Sequence, residues 1–290
     1  MPFRNADRMK ELFQNELLNK QFAEDGFVKV PFLHKEELDA LAEVFRKTCC
    51  DLSQIVDRVM YFSLISNPRE VNIKIRDEVK ALFEPAYKRI FTEYRSLAES
   101  FLAKIPGQDG NLMLHQDWNY VDEKKFASAT IWCPLVDITE QNGAMYAIKG
   151  SHKFFDILRS ATFPTARIKG EGEMSSAITP LEVKAGEAII FHQALWHGSY
   201  PNRSNATRVI ATSIVVERDA PYVYFNKNAG SESADVYALP DSAFIDELAT
   251  LAAGGLPQDQ RLVSSFPYSH LQVEIPMLLE KARSLNSSSN

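Results

Sequence analysis

Cysteine is scarce in this 290-residue chain, and the three present are poorly placed for one another: Cys49 and Cys50 are adjacent while Cys133 stands alone. That pattern is neither a disulfide framework nor a zinc-ligand spacing, so the thiols are read as reduced, with Cys133 facing a strand neighbour. Long apolar runs are missing too. None reaches the length that crosses a bilayer, and Met1–Lys20 is charged and amphipathic with no apolar signal region, so we expect a cytoplasmic protein with no membrane partner. A concentrated basic stripe is also lacking, because 32 basic residues are interspersed with 38 acidic ones for a net charge of −6. Nucleic acid is therefore not an expected partner. No internal repeat is evident. What the chain does have is a hydrophobic content of 45%, ample for a buried core.

The texture of the sequence changes along its length. Leu12–Glu24 and His34–Cys50 have helical spacing around a short β-prone run at Phe27–Val30, and Arg76–Ile105 reads as largely helical, with charges every third or fourth residue. From about Asn111, short β-prone runs are separated by Gly, Asn and Pro: Ala127–Val136, Ala144–Ile148, Leu181–Val183, Ala188–His192 and Arg208–Val216. Asn142-Gly143 reads as a tight hairpin, since both central positions of that turn need positive φ. After Ala220 the chain becomes loop-rich and then helical, at Ser242–Ala253 and Leu271–Ser284, and Ser284–Asn290 reads as a disordered tail. Short strands with helices before and after predict an α+β fold with a jelly-roll core, a double-stranded β-helix of the cupin-like kind, wrapped by N- and C-terminal helices. We expect one domain over 1–290, mostly helical in 1–105, jelly roll in 106–220, and loop plus helices in 221–290.

Within the β-prone half sits His115-Gln116-Asp117, followed by His197 and then Arg208. Side chains two apart on a strand point to the same face, so His115 and Asp117 can hold one ion between them, and His197 from a distant strand would complete a two-histidine, one-carboxylate set. Such a set leaves half an octahedron open. The bland reading is a surface pair or a hydrogen-bonded core pair. His192 competes for the third-ligand role, but its place in the apolar run Ile189–Phe191 favours a core imidazole; His34, His152 and His270 lie outside the expected ligand strands. Arg208 sits among β-branched residues, where an unpaired guanidinium is costly and needs an anion. That anion is either a protein carboxylate or a small dicarboxylate, which the planar fork of arginine binds through two parallel hydrogen bonds. Ser199, two residues after His197, can add a hydroxyl donor. Antiparallel neighbouring strands would bring Arg208 to the cavity of His197.

From Asp25-Gly26-Phe27 through His115-Gln116-Asp117-Trp118, Asn142-Gly143 and Gly150-Ser151-His152-Lys153 to Phe191-His192, His197-Gly198-Ser199, Asn202, Ser204 and Arg208, the chain resembles the phytanoyl-CoA dioxygenase (PhyH) family of Fe(II)- and 2-oxoglutarate-dependent oxygenases. The resemblance covers roughly residues 20–216. It implies that His115, Asp117 and His197 are the catalytic metal ligands, that Arg208 and Ser199 hold the distal carboxylate of 2-oxoglutarate, and that Trp132 lines its pocket. A strand tryptophan is also ordinary core. The implied cofactors are Fe(II), 2-oxoglutarate as co-substrate and O2, with ascorbate as a stimulating reductant. Lys104 resembles a lysine that precedes the metal strand in relatives, and Lys149 departs from the proline usual there before Gly-Ser-His.

The implied reaction is hydroxylation of an unactivated C–H bond of a small molecule, releasing succinate and CO2. Relatives that halogenate replace the aspartate with a small residue, so Asp117 points toward hydroxylation. Alternatives are desaturation or cyclisation at the same site, or a non-catalytic jelly-roll metal-binding module. Substrate contacts are expected from Tyr61–Asn72, Phe163–Ile178 and Tyr222–Ala238, with Gly170–Ser176 as a lid; Arg167 and Lys169 read first as solvated loop charges and, as the alternative, as partners of an anionic substrate. The substrate itself and the oligomeric state are not legible.

Overall fold

The structure is a computed structural model that describes residues 11–49, 52, 60–107, 110–164, 168 and 174–288. Its first helix is fixed at both ends by local chemistry. Asn15 accepts from the amides of Leu17 and Leu18 to start α1 (Glu16–Asp25), and Gly26, at a φ of 81°, ends it. Leu12 and Phe13, expected inside this helix, instead precede it as buried anchors. β1 (Phe27–Pro31) follows, then α2 (Lys35–Thr48), where the Glu37 carboxylate accepts from the His34 amide in a capping box. β2 (Tyr61–Phe62), α3 (Ser63–Ser66) and the long α4 (Arg69–Ile90) complete the N-terminal helical layer.

The segment after α4 departs from expectation. Tyr94–Lys104, read from its charge spacing as helix, is strand β3, and it pairs along its length with β10 (Arg208–Glu217). Its Leu, Ala, Glu and Lys favour a helix, but tertiary pairing overrides that weak preference. Burial on both faces also removed the alternation that marks a strand, and a bulge, with Ala98 at a φ of 60°, interrupts what remains.

β3 belongs to a six-stranded antiparallel sheet in the order β1-β8-β5-β10-β3-β2, where β5 is Ser128–Pro134 and β8 is Glu187–Phe191. A four-stranded antiparallel sheet runs β4-β9-β6-β7, with β4 Leu112–His115, β6 Met145–Ala147, β7 Thr179–Leu181 and β9 His197–Ser199. Trp132, Ile189, Phe191 and Ile210 of the large sheet meet Met145, Ala147 and Leu181 of the small one in a shared core, so the two sheets form a jelly roll. The helices α1, α2 and α4 cover the other face of the large sheet, burying Phe22, Leu41, Val79, Phe83 and Tyr87 against Val28, Ile131, Ile190 and Val215. Each such side chain contributes roughly 1.5–3 kcal/mol relative to exposure, which makes this layer the main store of stability. Cys133 is buried there beside Ala211, as expected; Cys50 lies outside the described residues.

Two further expectations change. Asn142-Gly143 is no hairpin, because β5 and β6 lie in different sheets; Glu140–Asn142 form a 3-10 turn capped by Thr139, and Gly143 alone has positive φ, at 93°. The C-terminal region is not loop and helix only. β11 (Val223–Lys227), β12 (Ser233–Ala238) and β13 (Leu262–Pro267) form a third sheet, with short helices α5 (Ala243–Asp246) and α6 (Leu248–Ala252) between its last two strands. α7 (Ile275–Ser288) reaches into the Ser-rich tail expected to be disordered, and its Leu278 and Ala282 pack with Leu114 and Tyr146 on the outer side of the small sheet. No helix among the described residues is long and apolar enough to cross a membrane.

His152 and His192, the latter just past the end of β8, lie beside each other at a ring separation of 5.3 Å, with Phe22 of α1 against His192. His192 Nδ1 accepts the Ala194 amide, the arrangement of a neutral ring. Burial pulls both rings down to about 3, helped for His152 by its neighbour His192 and for His192 by Arg159. The unfolded chain binds these protons near 6.5, so the stabilising effect of neutrality is complete above that pH and is lost as pH falls toward 3. Chemical denaturation between pH 7 and 4 should show this decline, at up to about 1.4 kcal/mol per pH unit per histidine, and His192→Gln should make it shallower.

Candidate metal centre and anion pocket

The centre rests on one cross-strand register. His115 at the end of β4 pairs with His197 at the start of β9, and their rings are 4.4 Å apart. β4 carries a bulge: Leu112 pairs with Ser199, three residues against two, so His115 takes the interior position that Leu114 would otherwise hold. Leu114 turns outward into the cluster beneath α7. Between His197 and Ser199 only a glycine fits, because a Cβ on Gly198 would collide with the Leu112 carbonyl oxygen and the Tyr146 ring.

Both imidazoles are aimed from behind. His115 Nδ1 is 2.8 Å from the Met113 carbonyl and His197 Nδ1 is 2.9 Å from that of Leu195, so each ring donates through Nδ1 and leaves Nε2 unprotonated toward the interior. Asp117 completes the group from just beyond the strand. Its Oδ1 lies 3.8 Å from His115 Nε2 and 3.7 Å from His197 Nε2, while Oδ2 accepts from Thr130 Oγ1 at 3.0 Å. One ligand atom from each of the three residues lies within 4.8 Å of the others, and no other cluster of this kind occurs among the described residues. Two neutral imidazoles and a carboxylate suit a divalent ion, and three ligands leave positions open to other molecules. His192, the rival ligand, lies in the buried pair described above and outside this cluster.

The triad opens on a cavity of about 230 Å³ that also holds Arg208, Ser199 and Trp132. Arg208 is buried, and among the described residues no carboxylate pairs with it. Nη1 donates to the Gly143 carbonyl at 2.6 Å, Nη2 reaches Met60 Sδ at 3.6 Å, and Nε has no partner. The guanidinium carbon sits 5.3 Å from the Trp132 ring centroid, and burial pulls its pKa down to about 9. A desolvated, unpaired guanidinium of this kind is a standing demand for an anion. Lys104 has been satisfied differently: Nζ donates to the carbonyls of Gly110, Ser199 and Tyr200, against burial and the nearby Arg208, which lower its pKa to about 6.

The route by which Arg208 arrives corrects the expectation. β10 is not a neighbour of β9; the two lie in different sheets, so Arg208 faces His197 across the interior of the jelly roll. Of the expected contact segments, Tyr61–Asn72 supplies Phe62 to the cavity wall, with Met60 adjoining. Tyr222–Ala238 instead lines a separate cavity of about 630 Å³ through Val223, Phe225 and Val236. Much of Phe163–Ile178, including Arg167, Lys169 and Gly170–Glu173 of the expected lid, lies outside the described residues. Phe244 and Leu248 near the C-terminus, Tyr120 and Thr130 also line the cavity and were not foreseen. Thr130 was findable: it is two residues before Trp132 on β5, hence on the same face.

The chain matches the family described as phytanoyl-CoA dioxygenase (PhyH) over residues 22–210, more than half its length, and belongs to that family. It is 27% identical over 172 residues to a phytanoyl-CoA dioxygenase of Arabidopsis thaliana, covering 53% of this chain and 61% of the relative. Over 174 residues it is 24% identical to the phytanoyl-CoA dioxygenase domain-containing protein 1 of Danio rerio, covering 52% and 60%. The matched stretches thus span less than two thirds of these curated relatives. Among solved structures, the epimerase SnoN in complex with Fe3+, alpha ketoglutarate and nogalamycin RO is similar at a TM-score of 0.53 and 19% identity, over 89% of this chain and 96% of that one. HygX from Streptomyces hygroscopicus with nickel and 2-oxoglutarate bound gives 0.51 and 17%, over 71% and 87%. At these identities the likeness is one of fold.

Replacing Arg208 by methionine removes an uncompensated buried charge while keeping much of its volume. Thermal unfolding of the ligand-free Arg208→Met protein should give a midpoint about 2 °C or more above that of the unmodified protein. A lower midpoint would show that the guanidinium is already compensated.

Proposed function

We propose that this protein is an Fe(II)- and 2-oxoglutarate-dependent oxygenase that hydroxylates an unactivated C–H bond of a small molecule, with release of succinate and CO2. The observation that supports it most is the sharing of one cavity by two aimed imidazoles, a carboxylate and an unpaired buried guanidinium. A structural metal site would fill its coordination sphere from the protein and would have no use for the arginine. Family membership and the ligands in the SnoN and HygX structures point the same way. We read the matched region and its helical wrapping as one catalytic unit.

In this reading His115, Asp117 and His197 hold the iron, and Arg208 takes the distal carboxylate of 2-oxoglutarate with Ser199 as a second donor. When bound, the iron supplies activation of O2 coupled to oxidative decarboxylation of 2-oxoglutarate, which yields succinate, CO2 and one oxygen atom for the substrate. The chain's own work is positional. Nδ1 of each histidine keeps its proton on a backbone carbonyl, so Nε2 stays available as a ligand. Thr130 holds Oδ2 of Asp117 and thereby presents Oδ1 inward. Trp132 and Met60 close around the guanidinium and exclude water from its salt bridge, which strengthens it. The rest of the wall is mixed: Phe62, Ile214, Phe244 and Leu248 are apolar, Ser100, Tyr120 and Thr212 carry hydroxyls, and none of these bears a charge, which suits an uncharged C–H-bearing group more than a charged one.

A second reading has the same iron site performing another oxidative outcome, such as desaturation or cyclisation. SnoN, of similar fold, is an epimerase, so a fold of this kind also serves outcomes other than hydroxylation. Either way, anaerobic addition of Fe(II) and 2-oxoglutarate should produce a visible metal-to-ligand charge-transfer band. Asp117→Ala should lower succinate formation at least 100-fold; a variant with full turnover would overturn the assignment.

A further inference from the structure

The two histidine ligands are held by the sheet, whereas the aspartate is not. His115 and His197 are strand residues in direct register, but β4 ends at His115, and residues 116–119 belong to no helix or strand. Asp117 must therefore be fixed by other means, and its amide has one backbone partner, the Gln193 carbonyl at 2.9 Å. Its own carbonyl is taken by a side chain. Arg159 Nε donates to the Asp117 oxygen at 2.6 Å, Nη1 donates to the Ile157 carbonyl at 3.1 Å, and Nη2 donates to both Glu123 oxygens at 2.7 and 2.8 Å.

The same arginine is tied to this segment by its backbone. The Asn119 amide donates to the Arg159 carbonyl at 3.0 Å, and the Arg159 amide donates to Asn119 Oδ1 at 2.7 Å. One residue thus grips the chain at Asp117, Asn119 and Glu123, immediately downstream of the metal strand. Its side chain is only 4% exposed and that of Glu123 13%. A buried ion pair is poor value for stability alone, since well-packed apolar residues do as well or better. What apolar residues cannot do is hold a carbonyl at a set position.

We propose that Arg159, seated by Glu123 and Asn119, is a positioning residue for the metal site: through the Asp117 carbonyl it fixes the backbone from which the carboxylate ligand projects. The inference rests on the triad binding a metal, and it adds that affinity depends on a residue that touches no metal. Partners that orient ligands in this way are typically worth 10–100-fold in metal affinity.

The test uses Mn(II) alone, titrated into the metal-free full chain and read as loss of the free aqueous Mn(II) EPR signal, so no substrate is needed. Arg159→Met should bind Mn(II) at least 10-fold more weakly than the unmodified protein. Arg159→Lys should fail to restore affinity, because a single ammonium cannot span the Asp117 carbonyl, the Ile157 carbonyl and Glu123 together. Arg95→Met is the control, since it breaks a distant ion pair with Asp241 and a bond to the Ala220 carbonyl. Its Mn(II) affinity should be unchanged, and an equal loss there would reduce the effect to general destabilisation and overturn the proposal. Unaltered affinity in Arg159→Met would overturn it alone, whereas no binding by the unmodified protein would overturn the metal reading with it. If Arg159→Met does not fold, Glu123→Gln decides, because it leaves the guanidinium in place but loosens its seat. Several-fold weaker binding supports the proposal, and full affinity refutes it.

Discussion

The pairing of His115 with His197 is the constraint on which the rest of the centre depends. A strand alternates faces with a period of two, so one residue of slip between β4 and β9 would send His115 to the outer side and bring Leu114 in. The bulge between Leu112 and His115 makes that slip deliberately and locally, leaving Leu112 and Ser199 paired on the interior. Packing holds the register: Leu114 is committed to the outer cluster with Tyr146 and Ile168, and Gly198 admits nothing larger between its neighbours. The geometry of the candidate ligand cluster is thus set by which leucine is buried on which side of a four-residue strand.

The two sheets divide the labour. The large sheet is covered by helices and filled with aliphatic and aromatic side chains, and it can tolerate an interior that includes an unpaired guanidinium. The small sheet has strands of three or four residues, too short to be stable alone, and it supplies both histidines. Each sheet therefore brings half of the chemistry: Arg208, Trp132 and Thr130 from the large one, the imidazoles from the small one. Only closure of the sandwich brings the buried guanidinium and the candidate metal ligands into one cavity. A folding defect in either sheet would consequently break up this grouping as a whole.

What was legible in the sequence was whatever depends on side-chain identity at short spacing. His115 and Asp117 two apart, the histidine before Gly198-Ser199, and an arginine among β-branched residues all land in one cavity. The caps at Asn15 and His34 were not read, and the first helix was started at Leu12, ahead of the Asn15 cap. Less legible was anything decided at long range. β3 looks helical because its residues are helix formers and both of its faces are buried, so neither propensity nor periodicity reports its strand state. The third sheet was hidden because two short helices stand between β12 and β13, so nothing local announces that pairing, although β11 and β12 are neighbours in the chain. Asn142-Gly143 misled in the opposite direction, since a glycine with positive φ fits a capped 3-10 turn as well as a hairpin. Arg159 carried no signal at all, because its partners are two backbone carbonyls and a glutamate thirty-six positions away.

The wall of the cavity shows where specificity can change without disturbing the centre. Met60 and Phe62 come from the segment before α3, and Phe244 and Leu248 come from the short helices near the C-terminus, so this part of the wall is built by segments that pair with neither β4 nor β9. Residues 22–210 match the family, and Phe244 and Leu248 fall outside that stretch. A substitution among these four alters the shape offered to a substrate while leaving the register, the imidazole tautomers and the Arg208 environment almost intact, with the Met60 contact to the guanidinium as the exception. That exception links this part of the wall to the arginine, because a smaller side chain at residue 60 would admit water to the guanidinium and, under the proposed function, weaken a salt bridge formed there.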